Sequence, residues 1–422
     1  MQVKALKTFL TDFHESVRRL PAIVKRRLHL AGNVFNFDQL MSLQITSRLP
    51  ETGTSIFTVM SRMALENGAI NLSQGFPDFP ISAKLIELIH KNMLAGNNQY
   101  APMPGVPALK KIIAEIVKET YDRSTDGESE ITITAGGTQA LFSSIAALIQ
   151  PNDEVILFDP SYDSYAPSIK LNSGVPIHIN LNSPDFSIDW DVVKKRINSR
   201  TKMIMINTPH NPSGSLLNEN DLKTLEEIVL KYGIIVLSDE VYERLVYDTH
   251  QHQSVLKFPG LASQSVAVFS FGKTFHATGW KVGYTVAPEY LTKEIRKAHQ
   301  FITFSVNTPV QMALAEYMQD RDNFIHLGKF FQQKRDFFLQ QIKGSSFEVL
   351  PCHGSYFQLL SYKNISDKTD VAMAEWMTKE RKLASIPVSV FYKDKSDDHL
   401  LRFCFAKSEE TLHKAGEILK KL

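Results

Sequence analysis

The sequence predicts an α/β fold built around a mainly parallel sheet. Short apolar runs of strand length recur through the middle of the chain, and segments with helical periodicity separate them. The runs are residues 131–133, 155–158, 203–206, 234–237, 266–269 and 282–286. Strands that alternate with helices are typical of a parallel sheet covered by helices.

Residues 1–40 form a basic amphipathic extension that we place outside this fold. Its basic side chains outnumber Asp12 and Glu15, and its apolar residues recur at helical intervals. A transit peptide is one interpretation, although such peptides are usually poorer in acids and richer in serine. A start codon placed too early is another, because Met41 stands just before the globular pattern. Whether the mature protein contains this extension stays open.

Composition excludes several classes of protein. The 422 residues are 43% hydrophobic and 22% charged, which suits a soluble globular chain with enough sequence for two cores. A net charge of +2 gives no reason to expect nucleic acid or a membrane surface as a partner, and no apolar stretch could span a bilayer. The spacing of Cys352 and Cys404 is not that of metal ligands or of a disulfide framework, so we expect no metal site. The same cysteine usage leads us to expect that the protein lies in the reducing cytoplasm.

Two helices are predicted before the first strand. Ser82 can cap the first, in which Leu85, Ile89 and Met93 share a face. The second has a buried stripe within residues 109–117. After the sheet, a helical region at 309–342 precedes the short apolar runs 347–350, 356–360, 386–391 and 400–405.

Polar clusters follow five of the six central runs. They are residues 136–139, 159–165, 207–214, 239–242 and 270–273. In open α/β sheets, ligands bind at the carboxyl ends of the strands. One pocket could therefore gather all five clusters.

Lys273 directly follows the run 266–269, so we place it at a strand end. Most lysines are solvated surface charges, but the small neighbours Ser270 and Gly272 leave backbone accessible here. Lys281 and Thr274 are of the kind that hold a phosphate. A lysine beside a phosphate site suggests pyridoxal phosphate, whose aldehyde forms a Schiff base with an amine.

The other clusters offer partners for such a cofactor, and each also has a purely structural interpretation. Gly136-Gly137-Thr138 could be a tight turn or an anion site at a helix start. Tyr162 could pack in a core or lie over a flat ring, and His210 is expected to be structural. Asp239 ends an apolar strand, where a carboxylate is costly unless it meets a cation such as a protonated pyridine nitrogen.

Four motifs, in order, resemble those of the class I/II aminotransferases of pyridoxal phosphate fold type I. They are Asn211-Pro212-Ser213-Gly214, Ser238-Asp239-Glu240-Val241-Tyr242, Ser270-Phe271-Gly272-Lys273-Thr274 and Leu401-Arg402-Phe403-Cys404-Phe405. The similarity spans roughly residues 55–422. Residues 71–79, 98–105, 161–167 and 278–283 resemble the branch that holds the methionine and kynurenine/glutamine aminotransferases.

This resemblance implies an architecture. A mainly parallel seven-stranded sheet would lie in a large pyridoxal phosphate-binding domain, residues 73–307. A smaller α+β domain would combine residues 41–72 with 308–422. The resemblance also implies a homodimer with active sites at the subunit interface.

It also implies a role for each matching residue. Lys273 would carry the Schiff base and move the proton from the substrate Cα to the cofactor. Asp239 would pair with the pyridine nitrogen, and Arg402 would clamp the substrate carboxylate. The remaining residues would contact cofactor or substrate: Tyr162 the ring; Asn211 and Tyr242 the phenolic oxygen; Gly137, Thr138, Gln139, Ser270 and Lys281 the phosphate; Tyr100 the phosphate of the neighbouring subunit; Asn211 and Gly75 the substrate carboxylate.

The implied reaction moves the amino group of an L-amino acid to a 2-oxo acid. Apolar residues at the closing edge favour methionine or an aromatic amino acid, and no second arginine stands in a motif position to bind a dicarboxylate. These apolar residues are Ile56, Phe57, Phe304 and Phe357. The preferred donor, the acceptor and the pathway stay open.

Two rival functions use the same scaffold. A cysteine-S-conjugate β-lyase would need the same residues, whereas a non-catalytic dimeric binding protein would not need Lys273, Asp239 and Arg402 together. Two positions depart from the family pattern. Lys281 stands where many members have arginine, and His276, whose role stays open, stands where a small residue is common.

Overall fold

The computed structural model describes residues 45–422, of which Glu51–Leu422 form one compact unit. The strands are β1 (Ile70–Asn71), β2 (Ile131–Thr134), β3 (Glu154–Asp159), β4 (Val175–Asn180), β5 (Thr201–Asn207), β6 (Ile235–Asp239), β7 (Ser265–Ser270), β8 (Gly283–Val286), β9 (Glu348–Val349), β10 (Phe357–Ser361), β11 (Leu383–Ala384), β12 (Ile386–Pro387) and β13 (Leu400–Cys404). The helices are α1 (Ile56–Glu66), α2 (Ala83–Leu94), α3 (Pro107–Tyr121), α4 (Gly127–Glu130), α5 (Gly136–Leu148), α6 (Tyr165–Leu171), α7 (Trp190–Arg196), α8 (Glu219–Tyr232), α9 (Pro259–Ala262), α10 (Phe271–Thr274), α11 (Glu289–Ile302), α12 (Thr308–Tyr317), α13 (Leu327–Ile342), α14 (Asp370–Glu380) and α15 (Glu409–Leu419). The predictions for residues 1–40 lie outside the described residues.

The main sheet has seven strands in the order β2-β8-β7-β6-β5-β3-β4. β8 runs antiparallel to β2 and β7, and the other neighbours are parallel. This confirms the predicted mainly parallel sheet. The six apolar runs all fall on its strands, and β4 is the strand that they miss. β4 lies at the edge with mostly half-exposed side chains, and it holds Pro176 where an edge tolerates proline.

Alternate residues of β3 enter two different hydrophobic cores. Val155 and Leu157 pack in one core, whereas Ile156 and Phe158 pack in the other. A strand that is buried on both faces has a continuous apolar sequence. This double burial explains why the central strands could be recognised as uninterrupted runs.

The two predicted helices, α2 and α3, form where they are expected, but one residue that was assigned to the buried face of α2 is exposed. The α3 stripe is buried from Leu109 to Val117. In α2, Leu85 is buried but Met93 is 50% exposed. Each four-residue step advances a helix by more than one full turn, so the third position of an i, i+4, i+8 series drifts off the face. Ser82 is the residue before α2, but its side chain makes no capping hydrogen bond.

A second sheet of four antiparallel strands follows, in the order β12-β13-β10-β9. The predicted helical region 309–342 is two helices, α12 and α13. The predicted strand 386–391 is shorter than expected, because a 3-10 turn replaces it at Ser389–Phe391. The division into a large and a small domain stays a prediction.

Residues 45–422 show neither a membrane-spanning helix nor a metal-binding cluster. No helix in this part of the chain is long and apolar enough to cross a membrane. The same residues contain no cluster of histidine, cysteine and carboxylate side chains suited to a metal ion.

The loop before α3 requires glycine at position 105. Gly105 has φ +112°, and a Cβ there would lie 2.1 Å from Cγ1 of Ile133 in β2. We expect Gly105→Ala to lower the free energy of unfolding by about 3 kcal/mol, since backbone strain and overpacking add. The control is Gly53→Ala, where no atom lies within 4 Å. Equal denaturant midpoints for the two variants would contradict this reading of the loop.

Candidate active site

The polar clusters meet in one cavity of about 230 Å³ at the carboxyl ends of the parallel strands. Residues from all five clusters line it, and the segments around Gly75, Phe357 and Arg402 complete its wall. Eleven of the predicted site residues contribute to the lining: Gly75, Gly137, Thr138, Tyr162, Asn211, Asp239, Tyr242, Ser270, Lys273, Lys281 and Arg402. Their roles remain predictions.

Lys273 lies in the one-turn helix α10, immediately after β7. The prediction placed it at the strand end, so the position is right although the residue itself is helical. Its Nζ donates to Oη of Tyr356 at 3.0 Å and to the carbonyl of Gly75 at 3.3 Å. Burial lowers the pKa of Lys273 to about 8, because the charged amine loses its hydration. With this pKa, about a tenth of the amine is neutral at pH 7.

Asp239 is the last residue of β6 and is buried. Its carboxylate accepts from the hydroxyl of Tyr165 at 2.7 Å and from the backbone N–H of Val241 at 3.3 Å. Burial raises the pKa of Asp239 to about 6 despite these two donors. A cationic group of a ligand beside Asp239 would favour the ionised form of this carboxylate.

Tyr165 is a contact residue that the sequence interpretation missed. It begins α6, whereas Asp239 ends β6, so no sequence motif holds the pair together. The available signal was the second tyrosine of the cluster 159–165, three residues after Tyr162. The rings of Tyr162 and Tyr165 contact each other edge-on, with centroids 5.6 Å apart.

Arg402 lies within β13 and is fully buried. Its Nη1 donates to Oδ1 of Asn211 at 2.8 Å, and its Nη2 donates to the carbonyl of Ser73 at 2.9 Å. The guanidinium carbon lies 3.9 Å from the ring centroid of Phe357. Nε has no hydrogen-bond partner within the described chain, and burial lowers the Arg402 pKa to about 10. A buried guanidinium with a free donor favours the binding of an anion.

An anion cradle forms where α5 begins beside the cavity. Gly136 has φ +77°, and a Cβ there would come within 3.4 Å of Nζ of Lys281. A Cβ at Gly137 would lie 3.0 Å from Val241. The backbone N–H groups of a helix start, with a cation beside them, are suited to bind phosphate.

Two predicted contacts lie outside the cavity. The Gln139 side chain accepts from the backbone N–H of Ala135 at 2.8 Å, and its amide nitrogen lies 3.1 Å from Nδ1 of His299. Its contact with the phosphate stays a prediction. Tyr100 is 83% exposed and packs edge-on against Phe304, with ring centroids 5.4 Å apart.

The structure shows which of the predicted apolar residues line the cavity and where His276 lies. Phe57 and Phe357 line the cavity, whereas Ile56 and Phe304 do not. His276 does not line it either. With φ +60°, His276 packs against Phe79 and Phe331 at centroid distances of 5.0 and 5.3 Å.

Comparisons with known proteins agree in pointing to one family. The model of the family described as aminotransferase class I and II matches residues 67–419. Methionine aminotransferase of Escherichia coli is 47% identical over 377 residues, which cover 89% of this chain and 98% of that protein. Human kynurenine–oxoglutarate transaminase 3 is 32% identical over 92% of each chain. A crystal structure of an Escherichia coli protein with a methionine aminotransferase function superposes with a TM-score of 0.89 at 46% identity, covering 90% of this chain and all of the other.

The loop that carries Asn211 should make stability depend on pH through His210. Nδ1 of this buried histidine lies 2.6 Å from Oγ of Ser213, and burial lowers its pKa from 6.5 to about 4. The unfolded chain therefore takes up the proton first as the pH falls from 6.5 to 4, and the fold loses stability across that window. We expect His210→Asn to reduce the loss of unfolding free energy between pH 7 and pH 4 by about 3 kcal/mol.

The measurement is urea unfolding at each pH, with His413→Asn on the exposed face of α15 as a control for removing a histidine. An unchanged pH profile in His210→Asn would show that His210 does not titrate in this way.

Proposed function

Because the chain belongs to the class I and II aminotransferases, we propose that it moves the amino group of L-methionine or an aromatic L-amino acid to a 2-oxo acid, with pyridoxal phosphate held on Lys273. One observation carries the proposal. Lys273, Asp239 and Arg402 reach the same cavity from three different elements, and the hydrogen-bond partners of all three are neutral groups.

The cavity residues fit pyridoxal phosphate. Gly137 and Thr138 at the start of α5, with Lys281, suit the phosphate, and the buried carboxylate of Asp239 suits a protonated pyridine nitrogen. Tyr162 lines the same space and offers a ring face. When bound, the cofactor withdraws electrons from the substrate Cα.

Lys273 supplies the amine that binds the cofactor and then carries the proton. An amine whose pKa lies near 8 is a base of suitable strength at neutral pH, and Tyr356 and Gly75 fix its position. Two hydrogen bonds to neighbouring oxygens limit the freedom of the Nζ atom. Proton transfer benefits because the base is already oriented toward the cavity.

Arg402 binds the substrate carboxylate. Its guanidinium is held by Asn211 and Ser73 in a fixed plane against Phe357, so little side-chain entropy remains to be lost on binding. A planar fork can bind both carboxylate oxygens. This contact orients the Cα toward Lys273.

The lining favours an apolar substrate side chain. Phe57, Leu141 and Phe357 contribute apolar surface, and the cations lining the cavity in residues 45–422 are Lys273, Lys281 and Arg402. With these three assigned to cofactor and α-carboxylate, none is left for a second substrate carboxylate. The similarity to a methionine aminotransferase supports the same preference.

We also propose a cytoplasmic homodimer. The exposed pair Tyr100 and Phe304 offers an aromatic surface through which Tyr100 would reach the phosphate of the neighbouring subunit. Cys352 and Cys404 are both free and buried thiols, as is usual in a reducing compartment.

A single-turnover screen tests the proposal. The enzyme loaded with pyridoxal phosphate is mixed with methionine, phenylalanine, kynurenine or aspartate, and the loss of its visible absorbance is followed. We expect methionine and the aromatic amino acids to react faster than aspartate by on the order of 100-fold, because a side-chain carboxylate would be buried without a partner.

Lys273→Ala controls for absorbance that does not depend on the lysine. A preference for aspartate would contradict the proposed specificity. Release of ammonia and pyruvate from a cysteine conjugate without a 2-oxo acid would favour the β-lyase instead.

A further inference from the structure

We propose that Tyr356 is a positioning residue, whose hydroxyl, fixed by the Gly75 carbonyl, holds the Lys273 amine in place while that amine carries the proton. The inference rests on the proposed function in one respect, the assignment of proton transfer to Lys273. Tyr356 belongs to none of the four sequence motifs that carry the resemblance. In the sequence it belongs only to the short apolar run 356–360.

The ring of Tyr356 is fixed before it meets the lysine. The residue directly precedes β10 and is fully buried. Its ring packs edge-on against Tyr242 at a centroid distance of 5.1 Å and against Phe357 at 4.9 Å. Phe331 covers a third side at 5.9 Å. A ring enclosed in this way leaves the hydroxyl at one position.

The hydrogen-bond directions around this hydroxyl follow from donor counting. A carbonyl oxygen only accepts, so the hydroxyl of Tyr356 gives its single proton to the Gly75 carbonyl at 2.6 Å. The lone pairs on Oη then face Nζ of Lys273 at 3.0 Å and can only accept from it. Burial raises the pKa of Tyr356 well above its usual value, which keeps the hydroxyl protonated in this arrangement.

Gly75 completes a triangle with the two side chains. Its carbonyl also accepts from Nζ of Lys273, at 3.3 Å. A Cβ at position 75 would lie 2.8 Å from the ring of Phe357, so glycine lets this carbonyl come close. Lys273 therefore meets two oxygen acceptors, and these stabilise the protonated amine more than the neutral one.

Other groups around Lys273 also act on its protonation. Asp239 and Cys404 favour the charged amine, whereas Arg402 and Lys281 oppose it, and burial opposes it most. The Tyr242 ring centroid lies 5.6 Å from Nζ. Among these groups, Tyr356 is the side chain that hydrogen-bonds the nitrogen directly. Removing the Tyr356 hydroxyl should lower the proton affinity of Lys273 Nζ without changing any formal charge.

Tyr356→Phe tests the inference, with Tyr362→Phe as the matched control. Tyr362 is also fully buried, and its hydroxyl donates to a backbone carbonyl, that of Lys368, at 2.9 Å. Both variants are loaded with pyridoxal phosphate. Their visible absorbance is titrated with pH as a readout of protonation at the Lys273 nitrogen, and their single-turnover rates with methionine are measured.

We expect Tyr356→Phe to shift the midpoint of this titration downward by about one pH unit and to slow the single turnover on the order of 10-fold. Tyr362→Phe should change neither. A purely structural role would lower the melting temperature of both variants and leave both midpoints in place, and that result would overturn the inference.

Two further outcomes are also decisive. If Tyr356→Phe does not fold, Tyr356→Met, which fills the space with an adaptable apolar side chain, must show the same shift, and an unshifted midpoint in it would overturn the inference. If wild-type enzyme has no absorbance that depends on Lys273, the proposed function fails first, and this inference fails with it. The wild-type spectrum therefore distinguishes the two failures.

Discussion

The burial of charge beside neutral partners is the constraint on which the rest of this structure depends. Asp239 and Arg402 are buried and Lys273 is partly buried, and hydrogen bonds with neutral groups offset only part of the hydration that these side chains lose. The part of the desolvation cost that is not offset shifts the pKa values of all three side chains. A ligand with a carboxylate and a protonated ring would supply the missing charges, so the same unfavourable burial that costs stability prepares the cavity for binding.

The loop around residues 73–78 joins the two halves of the site. The carbonyl of Ser73 accepts from Arg402, and that of Gly75 accepts from both Tyr356 and Lys273. The carbonyl of Phe76 accepts from the buried amine of Lys407. One stretch of backbone thus fixes the substrate clamp and the proton-carrying lysine together. The sheet places Asp239 and Lys273, but this loop places Lys273 relative to Arg402.

The strands that could be predicted from the sequence are those whose burial requires a continuous apolar pattern. Apolar runs marked the central strands because those strands are covered on both faces, whereas β4 escaped notice at the exposed edge. Eleven of the predicted site residues line one cavity. Eight of them belong to the clusters at strand ends, and Gly75, Lys281 and Arg402 lie outside those clusters. Tyr165 and Tyr356 could not be predicted, because each acts through one hydroxyl that meets its partner only after distant elements pack. Nor does the sequence show that the Gln139 side chain accepts from the backbone N–H of Ala135 at the start of its own helix.

Everything proposed for this cavity requires that Lys273 be the residue that binds the cofactor. Borohydride reduction of the enzyme loaded with pyridoxal phosphate, followed by proteolysis and mass spectrometry of the peptides, tests this claim most directly, because reduction makes the Schiff base permanent. We expect one modified lysine per chain, at Lys273, and none in Lys273→Ala. Modification at Lys281 or another lysine, with Lys273 unmodified, would contradict it.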